Sequence, residues 1–468
     1  MNRGESLAKN TVILAIGNVL PKAVSFITLP ILTACLTKAE YGTYDLINTL
    51  VSLFLPLVTL QIQTAAFRFL IDKRSDTEGQ RKIITNICVF TGVVSLFALL
   101  ILYFVLWKNS IITRMLICLY FMLDIMIATS RQIIRGIGRN SVYSSSSIIN
   151  SITNLLFVFL LVKTLSLGLN GVIASLSLAL LASQVYILFK VNIIGYIDIK
   201  LIDSSTLAEL LRYSWPMIPN SLSGWVMRLS DRLVITAFLG IEANAIYSVA
   251  NKLPVLYSVV QNTFTIAWQE NASIAANDKD SEMYYSHMFD VMYSIFFAIM
   301  AVLIASSPIL FRVLIKGDYD AAYYQMPILY IGTFFNSLSA YMGGIYVAKK
   351  QTKQVGITTI FAAAFNLIID LALVNKVGIY AGSISTLVSY CILTLYRMID
   401  IQKIQRITFK IKKMVSLLAI LIVMGALSYQ RTVLCNILNV VLALVFAYAT
   451  NHEVIKQISK AFLKIIRR

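Results

Sequence analysis

Charged residues are scarce in this sequence of 468 residues. Only 13% are Asp, Glu, Lys or Arg, about half of the ~25% that a soluble domain carries, whereas 58% are hydrophobic. Apolar runs of about 20 residues, each long enough to cross a ~30 Å hydrocarbon core, recur along the chain and leave little of it for a soluble domain. The scarcity of charge therefore excludes an ordinary soluble enzyme and indicates an all-α integral membrane protein.

Residues that usually carry catalysis or bind metals are also few. The two histidines are far apart, and the five cysteines lie in or beside apolar runs without the spacing of a metal site, as is typical of small core residues. The sequence contains no GxxxxGK[ST] loop, so we predict no ATP-hydrolysing site of the P-loop type. We therefore predict no cofactor, no metal and no catalytic residue.

The apolar runs predict about fourteen transmembrane helices. The first one is too long for a cleaved signal peptide and is interpreted as a permanent helix. The approximate limits of the predicted spans are 11–35, 43–67, 84–106, 111–130, 143–162, 169–189, 213–238, 243–268, 288–311, 324–347, 355–375, 378–396, 414–429 and 432–450.

Lysine and arginine are unequally divided between the two sides of these spans. The side that carries both termini holds 27 of the 40 basic residues, and the opposite loops hold eight. Because basic loops stay in the cytoplasm, both termini are predicted to be cytoplasmic. The net charge of +18 follows from this bias and suits anionic lipid better than nucleic acid, which we do not expect as a partner.

The remaining five basic residues lie at membrane depth, all in spans one, two, seven and eight, and the other ten spans are predicted to hold none. They are Lys22, Arg68, Arg228, Arg232 and Lys252. A cation at the centre of a span costs about 2.5–3.5 kcal/mol on insertion scales and usually marks a functional site. Six of the eight prolines lie in the same four spans, where they permit kinks.

Two alignments suggest that the chain contains a parallel duplication. Residues 35–50 align with 238–253 and pair Tyr44 with Tyr247 and Asn48 with Asn251, and residues 154–171 resemble 366–382. Repeats in the same order at similar offsets favour two six-helix lobes. The predicted domains are an N-terminal lobe at 1–190, a C-terminal lobe at 191–398, and a basic linker with two further helices at 399–468.

Polar residues three or four positions apart share a helix face and follow the same four spans. They are Asn18, Lys22 and Ser25; Asn48, Ser52, Thr59 and Gln63; Ser221, Trp225, Arg228 and Arg232; and Tyr247, Asn251, Ser258 and Asn262. If these stripes line one cavity, the five cations face Asp45 and Asp231, which gives a net charge of +3. Such a cavity suits an anion, because arginine binds phosphate through a fork and lysine supplies a point charge.

A structural interpretation of the same residues stays open. Arg228 and Asp231 could form an ion pair, and Arg68 and Lys252 could extend to the lipid headgroups. The carboxylates of Asp124, Asp290 and Asp370 could neutralise cations from neighbouring helices. Asp45 and Asp231 are candidates for ion coupling or for charge pairing.

The stretches "KNTVILAIGNVLPKAVSFITLPILT" and "EYGTYDLINTLVSLFLPLVTLQIQTAAFRFL" closely resemble the start of Wzx-type polysaccharide flippases. These belong to the multidrug/oligosaccharidyl-lipid/polysaccharide exporter superfamily. The resemblance implies two six-helix lobes around a central cavity and an undecaprenyl-diphosphate-linked oligosaccharide as substrate, moved from the cytoplasmic to the outer leaflet for surface polysaccharide synthesis. By helix rather than by position, it implies that Lys22, Arg228, Arg232 and Lys252 hold the diphosphate and that Arg68 meets it on entry.

The same resemblance implies a bacterial inner membrane location, with the lipid bilayer, a polysaccharide polymerase and a chain-length regulator as partners. Three alternatives stay open: a lipid II flippase, a cation or drug antiporter of the same fold, and a membrane glycan polymerase. Neither the sugar composition nor the energy source follows from the sequence, and the product is equally compatible with O antigen, capsule or another glycan.

Overall fold

A computed structural model describes the backbone of residues 3–466; the side chains of residues 3–16, 18, 19, 277, 453–455 and 457–466 lie outside the description. No strand is present between residues 3 and 466. The helices are α1 Arg3–Cys35, α2 Lys38–Val58, α3 Ile62–Asp72, α4 Thr77–Val105, α5 Ile111–Gly136, α6 Asn140–Phe157, α7 Gly168–Val191, α8 Ser204–Ser214, α9 Ile218–Leu239, α10 Ile241–Ala250, α11 Lys252–Ile274, α12 Ser281–Leu314, α13 Asp320–Tyr323, α14 Met326–Ala348, α15 Thr352–Val377, α16 Tyr380–Asp400, α17 Ile411–Tyr429 and α18 Val433–Ile466.

Short polar residues set the starts of several helices by capping free backbone N–H groups. At α2, Thr37 Oγ1 accepts from Glu40 N (3.2 Å) while Glu40 Oε2 accepts from Thr37 N (2.9 Å), a reciprocal capping box. Asp76 caps α4, and Asp203 caps α8. The Lys82 ammonium, 2.8 Å from Asp203, holds the pKa of that carboxyl well below its usual range.

Nine helices of the described chain are long and apolar enough to cross a membrane. They are α4, α5, α6 with the π-helical turn Val158–Thr164, α7, α12, α15, α16, α17 and the first part of α18 up to His452. The pair α2 and α3 meets the same test with a bend of 56° and can count as a tenth span. The prediction of an all-helical membrane protein is confirmed.

The four other predicted spans coincide with α1, α9, the pair α10 and α11, and α14. Of these helices, α1 is only partly described, and the others do not meet the test of length and apolarity. In α9, for example, Arg228, Asp231 and Arg232 lie within five residues of one another. The total of fourteen spans therefore stays a prediction.

Arg114 lies inside the predicted span 111–130, and α5 and α16 extend beyond their predicted limits, so the expectation that ten spans hold no basic residue is wrong. Arg114 and Arg131 lie inside α5, and Arg397 lies inside α16. Arg114 and Arg397 are buried, and each donates to a backbone carbonyl, at Trp107 (2.7 Å) and Ser339 (2.9 Å) respectively. Arg397 also donates to two threonine hydroxyls of α15. These hydrogen bonds satisfy most donors of Arg397 and part of those of Arg114, whose Nε has no acceptor among the described residues, and they reduce the cost of burial.

The chain forms two compact units, Met1–Trp225 and Val226–Arg468, called here the first and second unit. The division lies within α9 because the start of that helix contacts α2 and α3: Trp225 Nε1 donates to Ser52 Oγ at 3.0 Å. In the second unit, Asn451 Nδ2 of α18 donates to Ser294 O of α12 at 3.0 Å. The predicted domain limits at residues 190 and 398 stay predictions.

Equivalent helices begin at the offsets that the sequence alignments predict. The starts of α2 and α10 are 203 residues apart, and those of α6 and α15, like those of α7 and α16, are 212 apart. The aligned residues also make the same contact: Asn48 Nδ2 donates to Tyr44 O (3.1 Å), and Asn251 Nδ2 donates to Tyr247 O (3.0 Å). This agreement supports the parallel repeat.

Candidate functional site

Lys22 lies within α1, directly after Pro21, and its side chain is half-buried. It forms no hydrogen bond or ion pair with any residue whose side chain the structure describes. Pro21 and Pro30 lack backbone N–H donors and so interrupt the helix's hydrogen bonds, and the Pro21 carbonyl accepts from Ser25 Oγ at 2.9 Å. The ammonium of Lys22 is therefore available to an anion. The predicted neighbour Asn18 is within α1, but its side chain lies outside the described residues.

The polar stripe predicted for span two contacts the start of α9. Ser52 Oγ accepts from Trp225 Nε1 at 3.0 Å, and Gln61 Nε2, outside the stripe, donates to Ser221 Oγ at 2.7 Å. Asn48 Oδ1 instead accepts from Tyr120 OH of α5 at 2.7 Å. Gln63 is buried, and its Oε1 has no hydrogen-bond donor among the described residues. Polar side chains of spans two and seven thus meet within the first unit, and the lining of one cavity by the stripes stays a prediction.

A strained break separates α2 from α3. Leu60 and Gln61 both have positive φ values, 48° and 59°, which cost roughly 1–2 kcal/mol each for residues other than glycine. Pro56 precedes the break inside α2. Strain that persists at such a position often marks a segment that moves, so this break is a candidate hinge.

Arg68 follows the break on α3 and is already paired. Its Nη1 lies 2.6 Å from Asp72 Oδ2, and both side chains are at least half exposed. An exposed pair of this kind is worth about 0–1 kcal/mol, so a stronger anion can displace Asp72. Asp45, on α2, is buried.

In the second unit, the basic residues differ in exposure. Arg228 is exposed and has no ion pair among the described residues, whereas Arg232 is half-buried. Lys252 is half-buried at the first position of α11, directly after Asn251, where the predicted span eight breaks into α10 and α11. Pro254 follows the break and cannot donate a hydrogen bond to the preceding turn.

Asp231 is buried in a polar cluster of the second unit formed by α9, α10, α15 and α16. Its Oδ2 accepts from Tyr247 OH (2.6 Å) and from Thr386 Oγ1 (2.8 Å). With its amide oriented to satisfy both of its atoms, Asn366 donates to Asp231 Oδ1 at 3.2 Å. Asp231 therefore accepts hydrogen bonds from hydroxyl and amide donors. It does not form the ion pair with Arg228 that the structural interpretation of the sequence considered.

Asp370 lies in the same cluster, fully buried, and neither of its oxygens has a hydrogen-bond donor among the described residues. Asn366, one turn earlier on α15, contacts Asp231 at 3.2 Å, which places the two carboxylates close enough to interact electrostatically. The Arg232 guanidinium offsets part of the charge on Asp231, but Asp370 has no such partner among the described residues. Two buried like charges are not both stable without a proton or a cation between them. In the sequence, Asp370 is predicted only as a neutralising group. Its spacing of four from Asn366, which places both on one face of α15, is the signal that could have identified it.

The cluster requires a glycine at position 382. A Cβ there would lie 2.9 Å from the ring of Tyr247 and 3.1 Å from Asp231 Cβ. We expect Gly382→Ala to lower the free energy of unfolding by about 1–3 kcal/mol, the usual cost of overpacking, measured by thermal unfolding of the purified protein. Gly356→Ala is the matched control, because a Cβ at that helical position meets nothing within 4 Å. Equal unfolding temperatures for the two variants would contradict the close packing of Gly382 against Tyr247 and Asp231.

Solved structures with this fold are membrane transporters. The lipid II flippase MurJ in its inward closed conformation has a TM-score of 0.71 at 16% identity, covering 95% of this chain and 100% of that one. An inward-facing multidrug resistance MATE family transporter has a TM-score of 0.68 at 13% identity, covering 84% and 98%. A transporter of the same superfamily from Pyrococcus furiosus, described as having a binding pocket of reverse polarity, has a TM-score of 0.59 at 14% identity, covering 84% and 95%. At these identities the likeness shows the fold alone.

Two uncharacterized membrane proteins of Methanocaldococcus jannaschii are also similar. MJ1375 is 26% identical over 281 residues, covering 56% of this chain and 65% of the relative, and MJ1068 is 23% identical over 315 residues, covering 63% and 60%. The chain thus spans slightly less than two thirds of the length of these relatives.

A family model described as polysaccharide biosynthesis protein matches residues 7–269, more than half of the chain. The matched region contains Lys22, Arg68, Arg228 and Lys252. This match confirms the resemblance to the polysaccharide branch of the exporter superfamily that the stretches around Lys22 and Asp45 indicate. The chain belongs to the polysaccharide biosynthesis protein family.

Proposed function

We propose that this protein is a flippase that moves undecaprenyl-diphosphate-linked oligosaccharide units from the cytoplasmic to the outer leaflet for surface polysaccharide synthesis. The single observation that carries the proposal is Lys22, a half-buried lysine of a mostly apolar helix that has no ion pair among the described side chains. The protein acts in the bacterial inner membrane with both termini in the cytoplasm. A polysaccharide polymerase and a chain-length regulator act on the same pathway.

The chemistry of the basic residues suits a diphosphate. Lysine supplies a compact charge, and the guanidinium of Arg228, exposed and without an ion pair among the described residues, supplies a planar fork for phosphate oxygens. Arg232 and Lys252 add charge from α9 and α11. Side chains such as Asn48 and Asn251 suit sugar hydroxyls, while an undecaprenyl tail is compatible only with the surrounding lipid.

Transport proceeds by alternating access. The break at Leu60 and Gln61 and the break at Asn251 lie in the helices that carry Arg68 and Lys252. Broken helices can bend at these points with little loss of backbone hydrogen bonding. The breaks therefore serve as hinges that let the binding residues face one leaflet and then the other.

The carboxylates of Asp231 and Asp370 couple this motion to a proton or a monovalent cation. The specific observation is that Asp370 is fully buried with no donor to either oxygen among the described residues, close to a second carboxylate. Binding of one positive charge would remove their repulsion and bring α9 and α15 together. Release of that charge would favour their separation.

Reconstitution into proteoliposomes tests the function directly. Undecaprenyl-diphosphate carrying a labelled oligosaccharide is placed in one leaflet, and a membrane-impermeant glycosidase reports its appearance in the other. We expect exposure of the sugar well above that in protein-free liposomes. No increase would overturn the proposal, equal transport of lipid II would favour the lipid II flippase, export of organic cations alone would favour the antiporter, and joined glycan units would favour the polymerase.

A further inference from the structure

A short 3-10 turn, Ile193–Tyr196, follows α7 and separates two pockets of the first unit. Ile193 and Ile194 line the larger pocket, which has a volume of about 410 Å³. Asn192 and Gly195 line the smaller one, of about 190 Å³. The isoleucines of the turn thus line one pocket, whereas Tyr196 of the turn and Asn192, directly before it, line the other.

The larger pocket is a groove between α4, α5 and α7 that opens outward, as the 68% exposure of Leu96 shows. Along α4 it extends from Cys88 to Leu99. At 1.5 Å per residue, these eleven steps cover about 16 Å, close to the ~15 Å that half of a ~30 Å hydrocarbon core provides. The groove therefore matches the depth of the acyl chains of one leaflet.

The smaller pocket carries one charged lining residue among those described, Arg81. The guanidinium makes a long contact with Asp198, 3.3 Å from Nη2 to Oδ2, and its Nη1 makes no hydrogen bond with the described residues. Asp198 also accepts from Lys200 N at 3.1 Å. Arg81 thus keeps donor capacity for a phosphate oxygen, with Thr77 beside it in the lining.

The two pockets lie in line along α4. Arg81 precedes Cys88 by seven residues, about 10 Å along the helix axis, which places the cation at the end of the span and the groove within the hydrocarbon. A polar pocket with one cation above an apolar groove matches an amphiphile with an anionic head. Both pockets share the turn Ile193–Tyr196, so a molecule that fills them contacts α4 and this turn together.

We propose that this face of the first unit holds one anionic bilayer phospholipid, with its phosphate on Arg81 and an acyl chain in the groove between α4, α5 and α7. A bilayer phospholipid fits better than a long polyprenyl carrier because the groove ends within one leaflet. The bound lipid links α4 to the segment that leads to α8, and it is separate from the residues that bind the transported substrate.

Two variants remove the head and chain contacts separately. Arg81→Gln removes the charge, and Gly92→Leu fills the groove, since a Cβ at Gly92 in the groove wall meets nothing within 4 Å. The matched controls are Lys412→Gln, which neutralises an exposed cation of the second unit, and Gly356→Leu, which adds the same side chain at a helical glycine with open space.

Native mass spectrometry of the detergent-purified protein, titrated with phosphatidylglycerol, measures the binding. We expect one tightly bound lipid in the parent and in both controls, and at least tenfold weaker binding in Arg81→Gln and in Gly92→Leu. Parent-like binding in both test variants would overturn the proposal. Displacement of phosphatidylglycerol by an equal concentration of undecaprenyl phosphate would also overturn it, because the site would then belong to the carrier lipid.

Discussion

Replacing Lys22 with alanine is expected to lower surface polysaccharide about 10–100-fold at unchanged protein levels in the membrane. Hydrogen bonds to charged groups contribute about 1.5–3 kcal/mol, and each 1.4 kcal/mol corresponds to about tenfold in binding. Because Lys22 has no ion pair among the described side chains, its removal leaves no carboxylate of the described chain unpaired. The loss therefore reports on the anionic substrate. Quantification of extracted surface glycan in a strain that carries only the variant measures it.

Two further variants separate charge from structure. Lys22→Arg keeps the positive charge on a larger side chain, and we expect this variant to retain part of the export activity. Lys353→Ala is the matched control, because Lys353 is an exposed lysine at the start of α15, and export should be unchanged. If Lys22→Ala exports like the parent, the diphosphate-binding role of Lys22 is wrong.

Replacing Asp370 with asparagine is expected to abolish the dependence of transport on a proton or sodium gradient. The amide has nearly the same shape as the carboxylate. However, it neither exchanges a proton at physiological pH nor carries a charge that neutralises a cation. Gradient-driven flipping in proteoliposomes should fall at least tenfold. Thermal stability should be equal or higher, because the change removes a buried carboxylate that lacks donors among the described residues.

The combination of lost coupling and retained stability distinguishes this role from a structural one. Asp280→Asn serves as the control, since Asp280 is an exposed carboxylate before α12 and its neutralisation should leave gradient dependence intact. Gradient dependence that persists in Asp370→Asn would show that the Asp231 and Asp370 cluster is not the coupling site. A large drop in unfolding temperature would instead assign Asp370 a structural role.

Much of the helical organisation could be predicted because hydropathy and capping are local. Thr37 and Glu40 define the start of α2 through contacts three residues apart, and the equivalent start of α10 follows from the alignment around Tyr247. The predicted helix ends were less accurate, since Arg131 and Arg397 look like loop residues in the sequence. Their burial depends on carbonyl and hydroxyl acceptors from other helices, which no local pattern reveals.

The sequence by itself determined that this protein is a bundle of apolar helices and that its helices repeat in parallel. These properties depend on residues close together in the chain and on the free energy of placing each side chain in lipid. The Arg68–Asp72 pair is four residues apart and therefore local. Only the tertiary structure decided which distant groups meet: Asp231 accepts from Tyr247 and Thr386, and Asp370 has no hydrogen-bond donor among the described residues. The reason is that Asp231 and Asp370 are 139 residues apart, and their proximity follows from the packing of α9 against α15 and α16.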